Sequence, residues 1–143
     1  MAYGKSIELF LVSGTADSLI IAELSNWNGK AIKIPRIEVS SCNREDIAQV
    51  GVYFLFCKED DGSDSVYIGE AENVKDRLVQ HLRDYQSEKE KYYWSIAVVF
   101  IGRDLNKALI RYLENRFVEI ARVSKRYLVL TKNTYRNTVM KES

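Results

Sequence analysis

Apolar residues along this chain follow two spacings, one typical of strands and one typical of helices. Three short runs, residues 51–57, 65–69 and 94–102, are almost continuously apolar and rich in β-branched or aromatic residues, which predicts strands. An Asp-Gly turn between the first two predicts a β-hairpin. Because the first run has hardly any polar position, we expect its strand to be buried on both faces. The third run is the most apolar and is expected in the centre of the sheet.

Two further segments carry apolar residues at helical spacing. One begins after Asn73, a good N-cap residue, and its predicted apolar stripe consists of Val74, Leu78, Leu82 and Tyr85. Arg77 and His81 lie beside this stripe, about 40° apart on a helical wheel, and are expected to point toward the seam between helix and sheet. The other helix is predicted within residues 103–123, where Glu114 borders the apolar arc.

The first 48 residues are rich in predicted strands. "SIELFLV" and "SLIIAEL" predict a hairpin, "AIKI" predicts a third strand, and residues 40–50 predict a linker or short helix. A short strand and a basic tail follow the second long helix. The pattern predicts an α+β, sandwich-like fold, in which a small central antiparallel sheet is flanked by helices. Its β-β-α-β-α core would lie in residues 49–143 and a β-rich N-terminal extension in residues 1–48, packed as one globular unit.

Composition narrows the class of protein. A length of 143 residues fits one domain, and the apolar fraction of 46% and charged fraction of 29% are ordinary for a chain that folds in water. No apolar run approaches the ~20 residues that cross a bilayer, and the N-terminus lacks the layout of a secretory signal. We therefore expect no membrane association and a cytoplasmic location. Cys42 and Cys57 are expected to be reduced and structural, and one histidine argues against a zinc site.

The charges are unevenly distributed along the chain. Residues 1–102 carry 11 Lys/Arg and 16 Asp/Glu, a balance of −5, whereas residues 103–143 carry 10 and 4, a balance of +6. Clustered positive charge is typical of surfaces that bind phosphate backbones. A solvated helix face gives much the same count, so charge alone leaves both interpretations open.

Some polar residues are candidates for chemistry. A carboxylate that borders a core needs a cation or hydrogen-bond donors to stay charged, which singles out Glu114. Its ordinary alternative is an ion pair with Arg111 or Lys107 on the helix surface. Tyr53 and Tyr67 lie two positions from a glycine on paired strands, and each taken singly is an ordinary core aromatic. In chain order, however, the elements present two phenols, an arginine, an imidazole and a carboxylate.

This ordered set resembles the GIY-YIG endonuclease superfamily, whose core is a β-β-α-β-α module. The resemblance lies in "GVY" (51–53), "VYIG" (66–69), an arginine ten residues after the second tyrosine, a histidine four residues later, and Glu114 on the last helix. It covers roughly residues 49–133. Valine replaces the family's isoleucine in the first motif, which is a conservative change within a strand.

The resemblance implies divalent-metal-dependent hydrolysis of a nucleic-acid phosphodiester. Tyr53 would position or deprotonate the attacking water, and His81 would assist proton transfer or orient that tyrosine. Tyr67 and Arg77 would bind the scissile phosphate, where a guanidinium and a hard cation supply charge neutralisation. Glu114 would be the sole protein ligand of one Mg²⁺ or Mn²⁺ ion.

Four more residues are expected to contact the substrate. The family often has a polar residue after the final strand that supports the phosphate, and Asn133 is the nearest match. We also expect Gly69, Lys75 and Lys132 to contact the substrate.

The leading hypothesis is therefore an endonuclease that acts on nucleic acid, with DNA favoured. An alternative is a nucleic-acid-binding module that retains the fold without cleaving, and a third hypothesis is a partner-binding scaffold. Members of the family frequently carry separate recognition domains, so a contribution from an additional domain or a partner protein is left open.

Overall fold

The computed structural model describes residues 20–23, 29–42 and 45–131. Within these ranges the chain forms six strands, three α-helices and one 3₁₀ turn. In chain order they are β1 (Ile20–Glu23), β2 (Gly29–Pro35), α1 (Arg36–Val39), the 3₁₀ turn (Glu45–Ile47), β3 (Gly51–Lys58), β4 (Asp64–Ala71), α2 (Val74–Gln86), β5 (Trp94–Gly102), α3 (Lys107–Ser124) and β6 (Leu128–Val129).

The described strands form one sheet in the order β1-β2-β5-β3-β4-β6. Neighbouring strands are antiparallel except for β4 and β6, which are parallel. The predicted α+β fold with an antiparallel core sheet is confirmed, and β5 lies inside the sheet as its apolar run indicates. The parallel pairing of β6 at one edge is an addition that the sequence pattern did not indicate.

The sheet is covered by a helix on each face. Phe54 of β3 packs on the face covered by α3, where its ring centroid lies 5.2 Å from that of Phe117. Leu55 packs on the opposite face with Leu78 of α2. Because β3 lies between two helices, residues 51–57 are all buried. Each fully buried large apolar side chain contributes roughly 1.5–3 kcal/mol, so this strand anchors the core.

Each long helix begins at an asparagine that caps it. The side chain of Asn73 accepts a hydrogen bond from the backbone N–H of Asp76 at 3.1 Å, and Asn106 accepts one from Leu109 at 2.9 Å. Such caps satisfy N–H groups that have no partner within the helix and contribute about 1 kcal/mol each. They fix where α2 and α3 start, and therefore which of their side chains face the sheet.

The N-terminal part differs in detail from the predicted pattern. Its second predicted strand is present as β1, which pairs with β2, while the first predicted strand, "SIELFLV", lies outside the described residues. The predicted linker or short helix of residues 40–50 contains the 3₁₀ turn Glu45–Ile47, and an additional short helix that the sequence pattern did not indicate, Arg36–Val39, follows Pro35 directly. Among the helices described, none is both long and apolar enough to cross a membrane.

Candidate active site

Tyr53 and Tyr67 lie on the same face of the sheet. The register of β3 and β4 pairs Tyr53 with Gly69 and Leu55 with Tyr67, so the two phenols are diagonal neighbours, a separation that aromatic side chains can bridge. Their ring centroids are 6.2 Å apart. Tyr53 is fully buried, whereas Tyr67 is partly exposed.

Gly69 provides the room that the ring of Tyr53 occupies. A Cβ atom at residue 69 would lie 2.5 Å from the hydroxyl oxygen of Tyr53 and 2.6 Å from its Cζ. Side-chain atoms do not approach this closely, so the ring can lie across β4 only because its cross-strand neighbour is glycine. The glycine of the second motif therefore supports the tyrosine of the first.

His81 belongs to the buried face of α2. The helical wheel places it beside the apolar stripe, but in the structure it is 7% exposed and lies among the buried residues Val74 and Leu78. Its Nε2 atom is 2.8 Å from the hydroxyl oxygen of Tyr53. The imidazole also contacts the rings of Tyr53 and Tyr67 edge-on, with centroids 5.5 and 5.2 Å away. The imidazole is thus held where it can exchange a proton with the buried phenol.

Glu90 completes a chain of contacts that the sequence pattern did not indicate. Its Oε1 atom lies 2.6 Å from Nδ1 of His81, and these side chains are only 8% and 9% exposed. The residue belongs to a polar stretch after α2 with no apolar periodicity. Only the reversal of the chain beyond the helix brings it back to His81, nine residues earlier.

An open cleft of about 1130 Å³ lies over these groups. Its lining includes Tyr67 of β4, Arg77 and His81 of α2, and Lys107 and Arg111 of α3. Arg77 is exposed, so its guanidinium can meet a ligand that enters the cleft. The cleft is larger and more open than a typical small-molecule pocket, which suits a segment of polymer.

The two phenols are perturbed by their surroundings. Burial raises the pKa of Tyr53 well above its ordinary value, the neighbouring Tyr67 raises it further, and the Arg77 guanidinium lowers it only in part. Burial also raises the pKa of Tyr67, to which the nearby Glu114 carboxylate adds. Both tyrosines are therefore protonated at neutral pH.

Glu114 is a buried carboxyl group of α3. It is 6% exposed, and burial, followed by the negative charge of Glu70, raises its pKa to about 7, while Arg111 opposes this rise. The alternative partner Lys107 forms an exposed ion pair with Glu72 at 2.8 Å. Glu114 is thus a desolvated carboxyl group next to a second carboxylate, which is an unfavourable state for its ionised form.

Comparison with known families decides the identity of this arrangement. Residues 49–125, more than half of the chain, match the GIY-YIG catalytic domain. The chain belongs to the GIY-YIG family. Membership confirms the resemblance seen in the sequence, and the GIY-YIG domain indicates a nuclease-type function that involves nucleic acid. No curated protein and no solved structure matches the chain.

Of the five residues assigned to chemistry, Tyr67, Arg77 and His81 line the cleft, whereas Tyr53 and Glu114 are buried and are not among its lining residues. The remaining residues assigned from the GIY-YIG pattern lie apart from the cleft or outside the described ranges. Gly69 is buried beneath Tyr53, and its contact with substrate stays a prediction. The ammonium group of Lys75 donates a hydrogen bond to the carbonyl oxygen of Cys42 at 2.7 Å, so it is engaged away from the cleft. Asn133 and Lys132 lie outside the described residues.

A metal ion in this GIY-YIG domain would depend on few protein ligands. The described residues contain no cluster of three or more His, Cys, Asp or Glu arranged for a metal. Mg²⁺ keeps several waters and uses one or two carboxylates with substrate oxygens, so a single carboxylate is sufficient. Burial and the charge of Glu70 disfavour ionised Glu114 and Arg111 opposes them only in part, so a bound cation would stabilise the ionised carboxylate. The oxygen donors present therefore fit a hard divalent ion.

Proposed function

We propose that this GIY-YIG domain is a divalent-metal-dependent endonuclease that hydrolyses phosphodiester bonds of nucleic acid, with DNA as the favoured substrate. The observation that carries the proposal is the 2.8 Å contact between the Tyr53 hydroxyl group and Nε2 of His81. It connects a phenol to a base directly beneath a cleft that Arg77 lines.

Arg77 is the group that binds the scissile phosphate. Its guanidinium is exposed in the cleft, presents several donors in a fixed plane, and stays charged at any working pH. Hydrogen bonds of this kind strengthen as negative charge develops on the phosphate oxygens, so they lower the barrier to displacement. The hydroxyl group of Tyr67, which also lines the cleft, is a second donor.

Tyr53 and His81 carry the proton of the attacking water. Because its pKa is raised, Tyr53 is a protonated phenol rather than a phenolate at neutral pH. Its hydroxyl oxygen instead accepts a proton from water as its own proton passes to Nε2 of His81, so the phenol bears no full charge. The transfer of the proton from Tyr53 therefore depends mainly on the imidazole that accepts it, and less on the positive charge of Arg77.

Glu114 is the residue that would hold the metal, either Mg²⁺ or Mn²⁺. A bound ion would neutralise charge on the phosphate oxygens during displacement. The residue itself contributes a carboxyl group that is desolvated in advance and set close to Tyr67.

Cleavage of a supercoiled plasmid in Mg²⁺, with EDTA as the control, tests the proposal. Arg77→Ala should lower kcat about 100-fold or more, as loss of a transition-state donor does. Arg83→Ala is the matched control, since Arg83 is an exposed arginine on the same helix that lines a different surface groove. Parallel single-stranded DNA and RNA substrates decide which polymer is cut.

Equal activity of the two arginine variants would contradict the assigned role of Arg77. Salt-sensitive binding of DNA by the unmodified chain without any cleavage would instead establish the non-catalytic binding module.

A further inference from the structure

The only histidine in the chain uses both of its ring nitrogens. Nε2 lies 2.8 Å from the hydroxyl oxygen of Tyr53, and Nδ1 lies 2.6 Å from Oε1 of Glu90. The hydroxyl group can donate or accept a hydrogen bond, whereas an ionised carboxylate can only accept one. The Glu90 carboxylate therefore requires a proton on Nδ1, whereas the Tyr53 hydroxyl group is compatible with either protonation state of Nε2.

We propose that Glu90 is a positioning residue that holds His81 in the tautomer protonated at Nδ1. When Nδ1–H donates to the Glu90 carboxylate, the lone pair of a neutral imidazole is at Nε2 and faces the Tyr53 hydroxyl group. The opposite tautomer would place a lone pair against the carboxylate and an N–H against the phenol. Glu90 thereby makes Nε2 the acceptor that the proposed proton transfer needs, so the inference rests on the proposed function.

Burial increases the need of the Glu90 carboxylate for hydrogen-bond donors. The other oxygen of Glu90, Oε2, is buried and has no hydrogen-bond partner among the residues that the structure describes. Burying a charge without donors is costly, so the carboxylate relies on the polar groups beside it. These are Nδ1 of His81 at 2.6 Å and the phenol of Tyr92, whose pKa is raised by burial and then by the Glu90 charge. The 2.6 Å contact of Oε1 with Nδ1 of His81 is therefore the contact of Glu90 that orients the ring.

The backbone after α2 fixes the position of Glu90. The N–H of Glu88 donates to the carbonyl of Tyr85 at 3.1 Å and that of Lys89 donates to Asp84 at 2.8 Å, which is the Schellman pattern. Glu88 takes the left-handed conformation that this pattern needs, with φ of 65°. The N–H of Glu90 bonds to the same Asp84 carbonyl at 3.1 Å. The backbone of Glu90 is thus fixed by hydrogen bonds to the end of α2, and this fixed backbone places its carboxylate next to His81.

Nitrogen-15 NMR of the imidazole tests the proposal directly. Because the chain has one histidine, an untagged protein labelled with ¹⁵N-histidine gives the two ring nitrogens of His81 alone. Long-range ¹H–¹⁵N spectra at pH 8 should show a protonated Nδ1 and an unprotonated Nε2. In Glu90→Gln the side-chain amide can donate to Nδ1, so the population should move to the Nε2-protonated tautomer.

Plasmid cleavage supplies the second measurement. Glu90→Gln should lower kcat by about 10²- to 10⁴-fold with little change in KM, as expected when an amide replaces the carboxylate that orients a catalytic histidine. Glu88→Gln removes an exposed charge two residues away and should keep both the tautomer and the activity of the unmodified chain. Backbone amide spectra establish that each variant is folded.

A spectrum of the unmodified protein with Nε2 protonated, alone or together with Nδ1, would overturn the proposal even if Glu90→Gln does not fold. Retention of the Nδ1 tautomer in folded Glu90→Gln would overturn it as well. The expected spectra in a protein that cleaves nothing would uphold the tautomer assignment and refute the proposed function, so the two failures are distinguishable.

Discussion

Glu114→Gln should stabilise the metal-free protein at alkaline pH, although it removes the proposed metal ligand. The pKa of Glu114 is raised from the ordinary 4.5 to about 7 because the carboxyl group is buried beside Glu70. Between these values the folded chain keeps a proton that the unfolded chain has lost. The free energy of unfolding therefore falls as pH rises from about 4.5 to 7, and the full penalty persists above that range.

The size of the effect follows from the same two pKa values. One pKa unit corresponds to about 1.4 kcal/mol, so a difference of about 2.5 corresponds to roughly 3.5 kcal/mol, an upper bound because nearby solvent screens part of the effect. The glutamine amide loses some hydration when buried, which offsets part of this gain. We expect the variant to be more stable than the unmodified chain by about 1–3 kcal/mol at pH 8 and nearly equal to it at pH 4.

Urea denaturation in EDTA at pH 4 and pH 8 measures the difference. Glu119→Gln is the matched control on the same helix, because Glu119 is exposed and forms a surface ion pair with Arg116 at 2.6 Å. Exposed pairs contribute about 0–1 kcal/mol, so this control should be only slightly destabilised at either pH. A Glu114→Gln variant that is less stable than the unmodified chain at pH 8, or a difference that does not depend on pH, would refute the reasoning.

Three further substitutions test other parts of the structure. Gly69→Ala should abolish cleavage and lower stability by roughly 1–3 kcal/mol, because its methyl group would collide with Tyr53; thermal unfolding and plasmid assays with normal results would show that the ring has room to move. Thr131→Val should lower the free energy of unfolding, measured in urea, by about 2–3 kcal/mol. The Thr131 hydroxyl group accepts a hydrogen bond from the N–H of Ile68 at 2.6 Å and donates one to its carbonyl at 2.8 Å. A change below ~0.5 kcal/mol would argue against both bonds. Glu88→Gly should raise stability by up to about 1 kcal/mol, because glycine adopts a left-handed conformation without the steric penalty of other residues; a lower melting temperature would contradict this.

Local patterns in the sequence predict most of the core. The apolar run of β3, the helical spacing of α2 and α3, and the cap at Asn73 depend on neighbours within a few residues. The candidate site is predicted for a different reason, because the order of its residues along the chain resembles the GIY-YIG pattern, and the chain belongs to that family. Tyr53 and Tyr67 share a face simply because the hairpin register requires it.

Features that depend on distant contacts are not visible in the sequence. Glu90 reaches His81 only because the helix ends with Glu88 in a left-handed conformation, which a glycine would have indicated and a glutamate does not. The burial of His81 likewise depends on the tyrosines that cover it, since local spacing places it only beside the apolar stripe. Lys75 bonds the carbonyl of Cys42, 33 residues earlier, which no local pattern indicates.

The pairing of β2 with β5 has a consequence for isolating the catalytic domain. The family match begins at residue 49, whereas β5 has its second neighbour in Gly29–Pro35, along seven paired residues. A protein truncated to the match would keep every proposed catalytic residue described here, yet one side of an apolar strand would become a free sheet edge. Such edges recruit strands from other molecules. β2 thus shields β5 from such pairing, and we expect a chain truncated to residues 49–125 to aggregate more readily than the full chain.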